Sequence, residues 1–258
     1  MRKENIDSSK TDPVKKCHMH LVTNETSSNV DHDSQKNHAM QLLQDIFKAL
    51  ESDTVNSVVN AYDQSMERLI NWNFQYLSDK QKMTQNEAKD NTLTNMQKIK
   101  PVFEKWLTER LQDRISPYYS INTENIDSIC NIGLEGLISA NDQELALHNE
   151  LQDSIHAAIQ RFKLMLYRSG YRSEHDLRGL PFSKMLFRCN PVNIIKLMTP
   201  IVNKLSRENR DIEWLLYRMF NLQVMLALPN LYEQWEAKLK EHHDITANHE
   251  VAKKKSVS

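Results

Sequence analysis

The chain has 258 residues, a formal net charge of −1 and only four glycines, Gly133, Gly136, Gly170 and Gly179. That scarcity argues against phosphate-cradling loops, nucleophile elbows and tight hairpins, which need positive backbone dihedrals or close backbone approach. With 26% charged residues and no apolar run near the roughly 20 residues that cross a bilayer, the composition fits a water-soluble globular domain and excludes a membrane span.

Residues 1–37 contain no aromatic side chain and are rich in Ser, Thr, Asn, Asp and Lys. Such a stretch cannot bury enough apolar surface to offset the entropy of ordering, which predicts a disordered N-terminal arm. The opening Met1-Arg-Lys-Glu-Asn-Ile-Asp has no apolar h-region, so no secretory signal is expected. A single multi-helix domain is expected over 38–243, with a disordered tail over 244–258.

Inside the domain, Ala39, Leu42, Leu43, Ile46, Phe47 and Leu50 step by three and four, the stripe of an amphipathic helix. Val55, Val58, Val59, Tyr62, Met66, Leu69 and Ile70 form the next, with Asp53 or Thr54 as its N-cap. Thr84 and Glu87 make a capping-box pattern for a third helix, whose stripe runs Leu93, Met96, Ile99, Phe103, Trp106, Leu107 and Leu111. Pro101 should kink or split it. A break is expected at Pro117-Tyr118-Tyr119, then a short helix over 124–137.

A long helix is predicted from Asp142, with Leu147, Leu151, Ile155, Ala158, Ile159, Phe162 and Leu166 inward and Gly170 closing it. Residues 171–189 are the longest connection. Asn190-Pro191 then reads as an N-cap followed by proline at the first helical position. Ile194, Ile195, Met198, Val202 and Leu205 face inward, with Pro200 bending that helix. A final stripe begins Ile212, Leu215, Leu216, Met219 and Phe220 and continues past Pro229 to Leu231, Tyr232, Trp235 and Leu239.

Charge is distributed unevenly along these helices. Residues 39–160 carry 10 basic and 18 acidic side chains, whereas 161–218 carry 12 basic and 5 acidic ones. The two halves therefore either pack against each other or show opposite faces to different partners. Cys17, Cys130 and Cys189 form no Cys-x-x-Cys pair, which fits reduced thiols in the cytoplasm, the latter two as small core residues.

Asn190-Pro191, then Trp214-Leu-Leu-Tyr217-Arg-Met-Phe220, then Leu231-Tyr232 resembles a family of large helical proteobacterial proteins. That family is a domain of unknown function whose members are sometimes labelled thymidine phosphorylase. Leu93–Leu111 and Glu144–Phe162 are similar to helices preceding that block. The resemblance covers Ala39–Leu239 loosely and Asp142–Leu239 better. It implies a bacterial helical protein corresponding to one region of longer members, with no established catalytic residue to carry over. Pro229 departs from the family by interrupting its last helix. The phosphorylase label fails on chemistry, because no glycine-rich loop is present to hold a phosphate.

Three constellations carry candidate chemistry. Cys17-His18-Met19-His20, with His32 and His38 beyond, holds soft and imidazole ligands, but a structural metal site needs four ligands at fixed geometry. A solvated arm is the plainer reading, and no metal is expected. Glu144, His148 and His156 lie on the long helix, where the two histidines can share a face; with no third partner, His148 reads as a satisfied boundary residue. Arg168-x-x-x-Arg172 matches half of a cyclic-dinucleotide signature, without the Asp-x-Ser-x-x-Gly half or its β-barrel.

The basic segment is the better lead. Arg161, Lys163, Arg168, Arg172, Arg178 and Arg188, with Lys184, are interleaved with Tyr167, Tyr171, Phe182 and Phe187. Guanidiniums beside aromatic faces suit phosphate backbones and stacked bases. The plainer reading pairs these arginines with the acidic stretch Glu124–Asp153 inside the fold. The sequence thus predicts an all-α, irregular multi-helix bundle with no catalytic residue and no cofactor. Its expected role is that of a bacterial cytoplasmic adaptor or regulator binding another protein. The alternative is a nucleic-acid or phosphate-ligand binder using Arg161–Arg188.

Overall fold

The computed structural model describes the backbone of residues 13–74, 77–112, 142–172, 176–177, 179–205 and 209–255. Side chains are described from Asn37 to Asn248 within those stretches, Asn203 excepted. Every regular element among the described residues is an α-helix, so the fold is all-α. The helices are α1 (Pro13–Ile70), α2 (Asp79–Gln112), α3 (Asp142–Arg168), α4 (Ser183–Arg188), α5 (Pro191–Leu205) and α6 (Arg210–Lys255). The break at 117–119, the short helix over 124–137 and Cys130 lie outside the described residues. Among those residues, no helix is long and apolar enough to cross a membrane.

By compactness the chain divides into residues 1–42 and 43–258. The first unit holds the leading part of α1. Pro13 supplies a favourable first helical position, and no glycine or proline follows until Pro101. Nothing local therefore stops the helix, which occupies part of the stretch expected as an arm; residues 1–12 are not described. Between Asn37 and Gln41 no side chain is buried.

In the second unit, the expected helix boundary at Asp53-Thr54 does not occur. Thr54 is an interior residue of α1, its Oγ1 donating to the Leu50 carbonyl and lying 3.3 Å from Cys189 Sγ. Bonding back to i−4 satisfies a buried hydroxyl within a helix as well as a cap would outside one. The start of α2 also differs from expectation. Ser78 precedes it, and the Gln81 side-chain oxygen accepts from both the Ser78 N–H (3.1 Å) and its hydroxyl (2.6 Å). This is a Ser-x-x-Gln variant of the capping box, whereas Thr84 merely bonds back to Lys80.

α1 and α2 are antiparallel neighbours. Tyr62 stacks on Phe103 at 4.5 Å and donates its hydroxyl to the Met96 carbonyl, while Glu51 meets Gln112 and Asp63 meets Lys100. Pro101 does not split α2; it and Gln97, whose carbonyl it deprives of an amide, are both exposed to water.

α3 ends as the glycine predicts. The Gly170 N–H bonds to the Tyr167 carbonyl and the Tyr171 N–H to that of Leu166, a Schellman motif with Gly170 at φ +93°. Asn190 caps α5, its Oδ1 accepting the Asn193 N–H at 2.8 Å. Asn209 caps α6 by accepting from Asp211 and Ile212. α6 runs unbroken through Pro229 and extends to Lys255, past the domain edge expected at 243, though after His242 no described side chain is buried.

α6 is the central element. It runs antiparallel to α1, with Phe220 against Tyr62 and the Trp235 indole donating to Asp53. It runs parallel to α3, where Phe162 meets Tyr232 edge to face at 5.1 Å and Arg161 meets Glu236 at 2.8 Å. The predicted inward residues Ile212, Leu215, Leu216, Met219, Phe220, Leu231, Tyr232, Trp235 and Leu239 are all buried. Each large buried side chain contributes about 1.5–3 kcal/mol.

Candidate functional site

The six basic candidates are not gathered into one surface. Arg161 is largely buried, 16% exposed, and held by Glu236 at 2.8 Å and Glu233 at 3.6 Å on α6. Arg188 donates Nη1 to the Leu111 carbonyl at 2.5 Å, capping the C-terminal end of α2, whose last carbonyls have no helical partner. Arg168 is half exposed and stands 3.8 Å from Glu236. Lys163 and Arg172 are exposed, and Arg178 is outside the described residues.

Internal pairing therefore engages part of the basic segment. Arg161 and Arg168 meet α6 glutamates, while residues 124–141 of the expected acidic stretch lie outside the described residues. The parallel contact of α3 and α6 sets opposite each other residues 67 to 75 apart in sequence. Acidic residues within one helix cannot fold back on their own basic end. From the acidic stretch, Glu150 pairs instead with Arg68 of α1 at 3.1 Å.

The two histidines of α3 diverge. Eight residues rotate a helix by about 80° past two full turns, enough to separate a buried position from a solvent-facing one. His148 is buried, 3% exposed, and its Nδ1 has no hydrogen-bond partner among the described residues. His156 is exposed, with Nδ1 2.8 Å from the Gln152 carbonyl. His148 is thus a core residue rather than a boundary one. Burial, and secondarily the Arg218 charge, hold its pKa below the ordinary imidazole range.

Arg218 belongs to a polar cluster that the stripe analysis missed. It is 2% exposed on α6, with Tyr217 and Asn221 equally buried on the same helix. Burial lowers the guanidinium pKa, opposed by the nearby Glu144 carboxylate. Neither polar atom of the Asn221 amide has a partner among the described residues. The signal was in the sequence: Arg218 is a cation set inside Trp214–Phe220, where every other residue is apolar or aromatic.

A second histidine site joins the end of α3 to α6. His242 is buried, with Nδ1 3.3 Å from the Tyr171 hydroxyl and its ring 5.1 Å from Phe182. Burial and then His243 lower its pKa. The His243 ring lies edge-on to Tyr171 at 5.3 Å. Cys189, buried beneath Thr54, has its thiol pushed up to about 12 by burial, which leaves it un-ionised and unreactive at neutral pH. Among the described residues, no three His, Cys, Asp or Glu side chains gather as a metal site would require. The Cys17–His20 and His32 side chains lie outside the described residues.

The solvent side of α3 is different in character. Leu164 is 38% and Tyr167 65% exposed, two of eight large apolar side chains left in contact with water among the described residues, and Lys163 and Arg168 lie beside them in sequence. Three residues apart, Leu164 and Tyr167 share one helix face. No family model, curated protein or solved structure matches the chain.

Proposed function

We propose that this chain is a non-enzymatic helical module that works in the bacterial cytoplasm by binding another protein, as an adaptor or regulator. One observation carries the reading. His148 and Arg218 lie in the core and Arg161 is held on α6, while the outer face of α3 leaves Tyr167 in solvent and Leu164 partly so. Exposed apolar side chains held on a rigid helix suit protein contact. The bacterial setting rests only on the resemblance read from the sequence of Asn190–Tyr232, which no family model matches and which brings no catalytic residue with it.

A second reading rests on Tyr167 with Lys163, Arg168 and Arg172 as a stacking platform among cations for single-stranded nucleic acid. Affinity capture from the native host, with and without nuclease, separates the two. Protein binding predicts partners retained after nuclease treatment. Loss of all partners on nuclease treatment would replace it with the second reading.

A further inference from the structure

Resting on the protein-binding reading, we propose that the outer face at the C-terminal end of α3 takes an acidic amphipathic segment of the partner, anchored on Leu164 and Tyr167. These two supply the apolar contact, and Tyr167, at 65% exposed, is the larger anchor. Four residues apart on one helix, Lys163 shares a face with Tyr167, and Arg168 with Leu164. Arg172 lies just past the Schellman turn, where its own N–H is fixed to the Asp176 carboxylate at 2.8 Å. Asp176 is the acid nearest Tyr167 in sequence among the described residues. Glu233 and Glu236 are engaged by Arg161 and Arg168 on α6. With Arg161 and Arg168 so engaged, Lys163 and Arg172 stand against Asp176 alone among the described residues; that remainder is positive, and an acidic partner complements it.

The face is also held rigid. Ser169 donates to the Glu236 carbonyl at 3.1 Å, and the turn at Gly170–Tyr171 is pinned by His243. Little ordering is left to be done when a partner lands, which favours affinity at a small contact. The apolar pair at i and i+3 matches the spacing by which an amphipathic helix presents its own anchors. A nucleic-acid strand would instead follow a line of cations, and Arg161 and Arg188, two members of that line in the sequence, are committed to α6 and to the end of α2.

The test places a photoreactive benzophenone amino acid at position 167 of the full chain in its native host, with a control probe at Met83, which is exposed on α2. Cross-linked segments are sequenced by mass spectrometry. The expected product at 167 is a peptide of net negative charge with apolar residues three or four apart. Its yield should fall at least tenfold in Lys163→Glu/Arg172→Glu with the helical circular dichroism unchanged. A neutral or basic cross-linked segment, an undiminished yield in the charge-reversed chain, or cross-linking to nucleic acid would overturn the proposal. So would a yield at 167 no higher than at Met83. If nuclease-resistant partners are captured but cross-link elsewhere, only this inference fails; if none are captured, the protein-binding reading fails with it.

Discussion

Arg161 and Glu236 are 2.8 Å apart across the parallel contact of α3 and α6, and both side chains are about four-fifths buried, 16% and 21% exposed. This pair turns one cation of the basic segment into a fold element. Glu236→Gln should remove its charge while keeping its shape, leaving Arg161 with only the more distant Glu233. The expected cost is about 1–3 kcal/mol, between that of an exposed pair and that of a fully buried one. Urea unfolding should show a lower midpoint with an unchanged slope. An unchanged midpoint would mean that the pair adds no net stability.

Gly170 is needed twice over. Its φ of +93° disfavours a side chain, and an added Cβ would stand 2.6 Å from the His243 ring. Gly170→Ala should therefore destabilise the turn by about 1–3 kcal/mol through strain and collision together. Adding His243→Ala should recover the collision part alone, so the two changes will not be additive. Thermal melts of the four proteins measure this; strict additivity would show that His243 does not press on the turn.

Leu216 and Leu164 make a matched pair for the core and the surface. Leu216 is 1% exposed in α6, so Leu216→Asp buries an unpaired carboxylate and should cost several kcal/mol, about 3 or more. Leu164→Asp should cost less, about 1 kcal/mol, since its side chain is 38% exposed. A Leu216→Asp variant as stable as the parent chain would refute the helix register.

Acid should destabilise the fold through His148 and His242. Both have pKa values held below the ordinary range, first by burial and then by Arg218 and His243 respectively. The folded state thus prefers the neutral ring. Its contribution is complete above the unfolded value of about 6.5 and is lost as pH falls through the lower folded values. Urea midpoints should drop between pH 7 and 5. His148→Gln, which cannot titrate, should flatten that dependence; an unaltered slope would show that His148 is not responsible.

Much of this architecture was legible in periodicity and caps. The Gly170 stop, the Asn190-Pro191 start and the inward stripe of α6 all follow from local chemistry that tertiary contacts reinforce. The Thr54 and Thr84 caps misled because a threonine hydroxyl is equally satisfied by the carbonyl four residues back. Arg161 and Arg188 looked available because their partners, Glu236 and the Leu111 carbonyl, are 75 and 77 residues away. No local pattern encodes such pairings. The burial of Arg218 was legible in its apolar surroundings Trp214–Phe220, but the carboxylate near it, Glu144, is 74 residues away.

The most direct measurement compares partner recovery by the intact chain and by Tyr167→Ala, both captured from the native host after nuclease treatment and normalised to a thermal melt. A protein-binding face on α3 predicts that Tyr167→Ala melts within a degree or two of the parent chain, as expected for a surface change of up to about 0.5 kcal/mol, while losing most of the recovered partner. Full recovery of the same partner by Tyr167→Ala would contradict it and move the functional surface elsewhere on the protein.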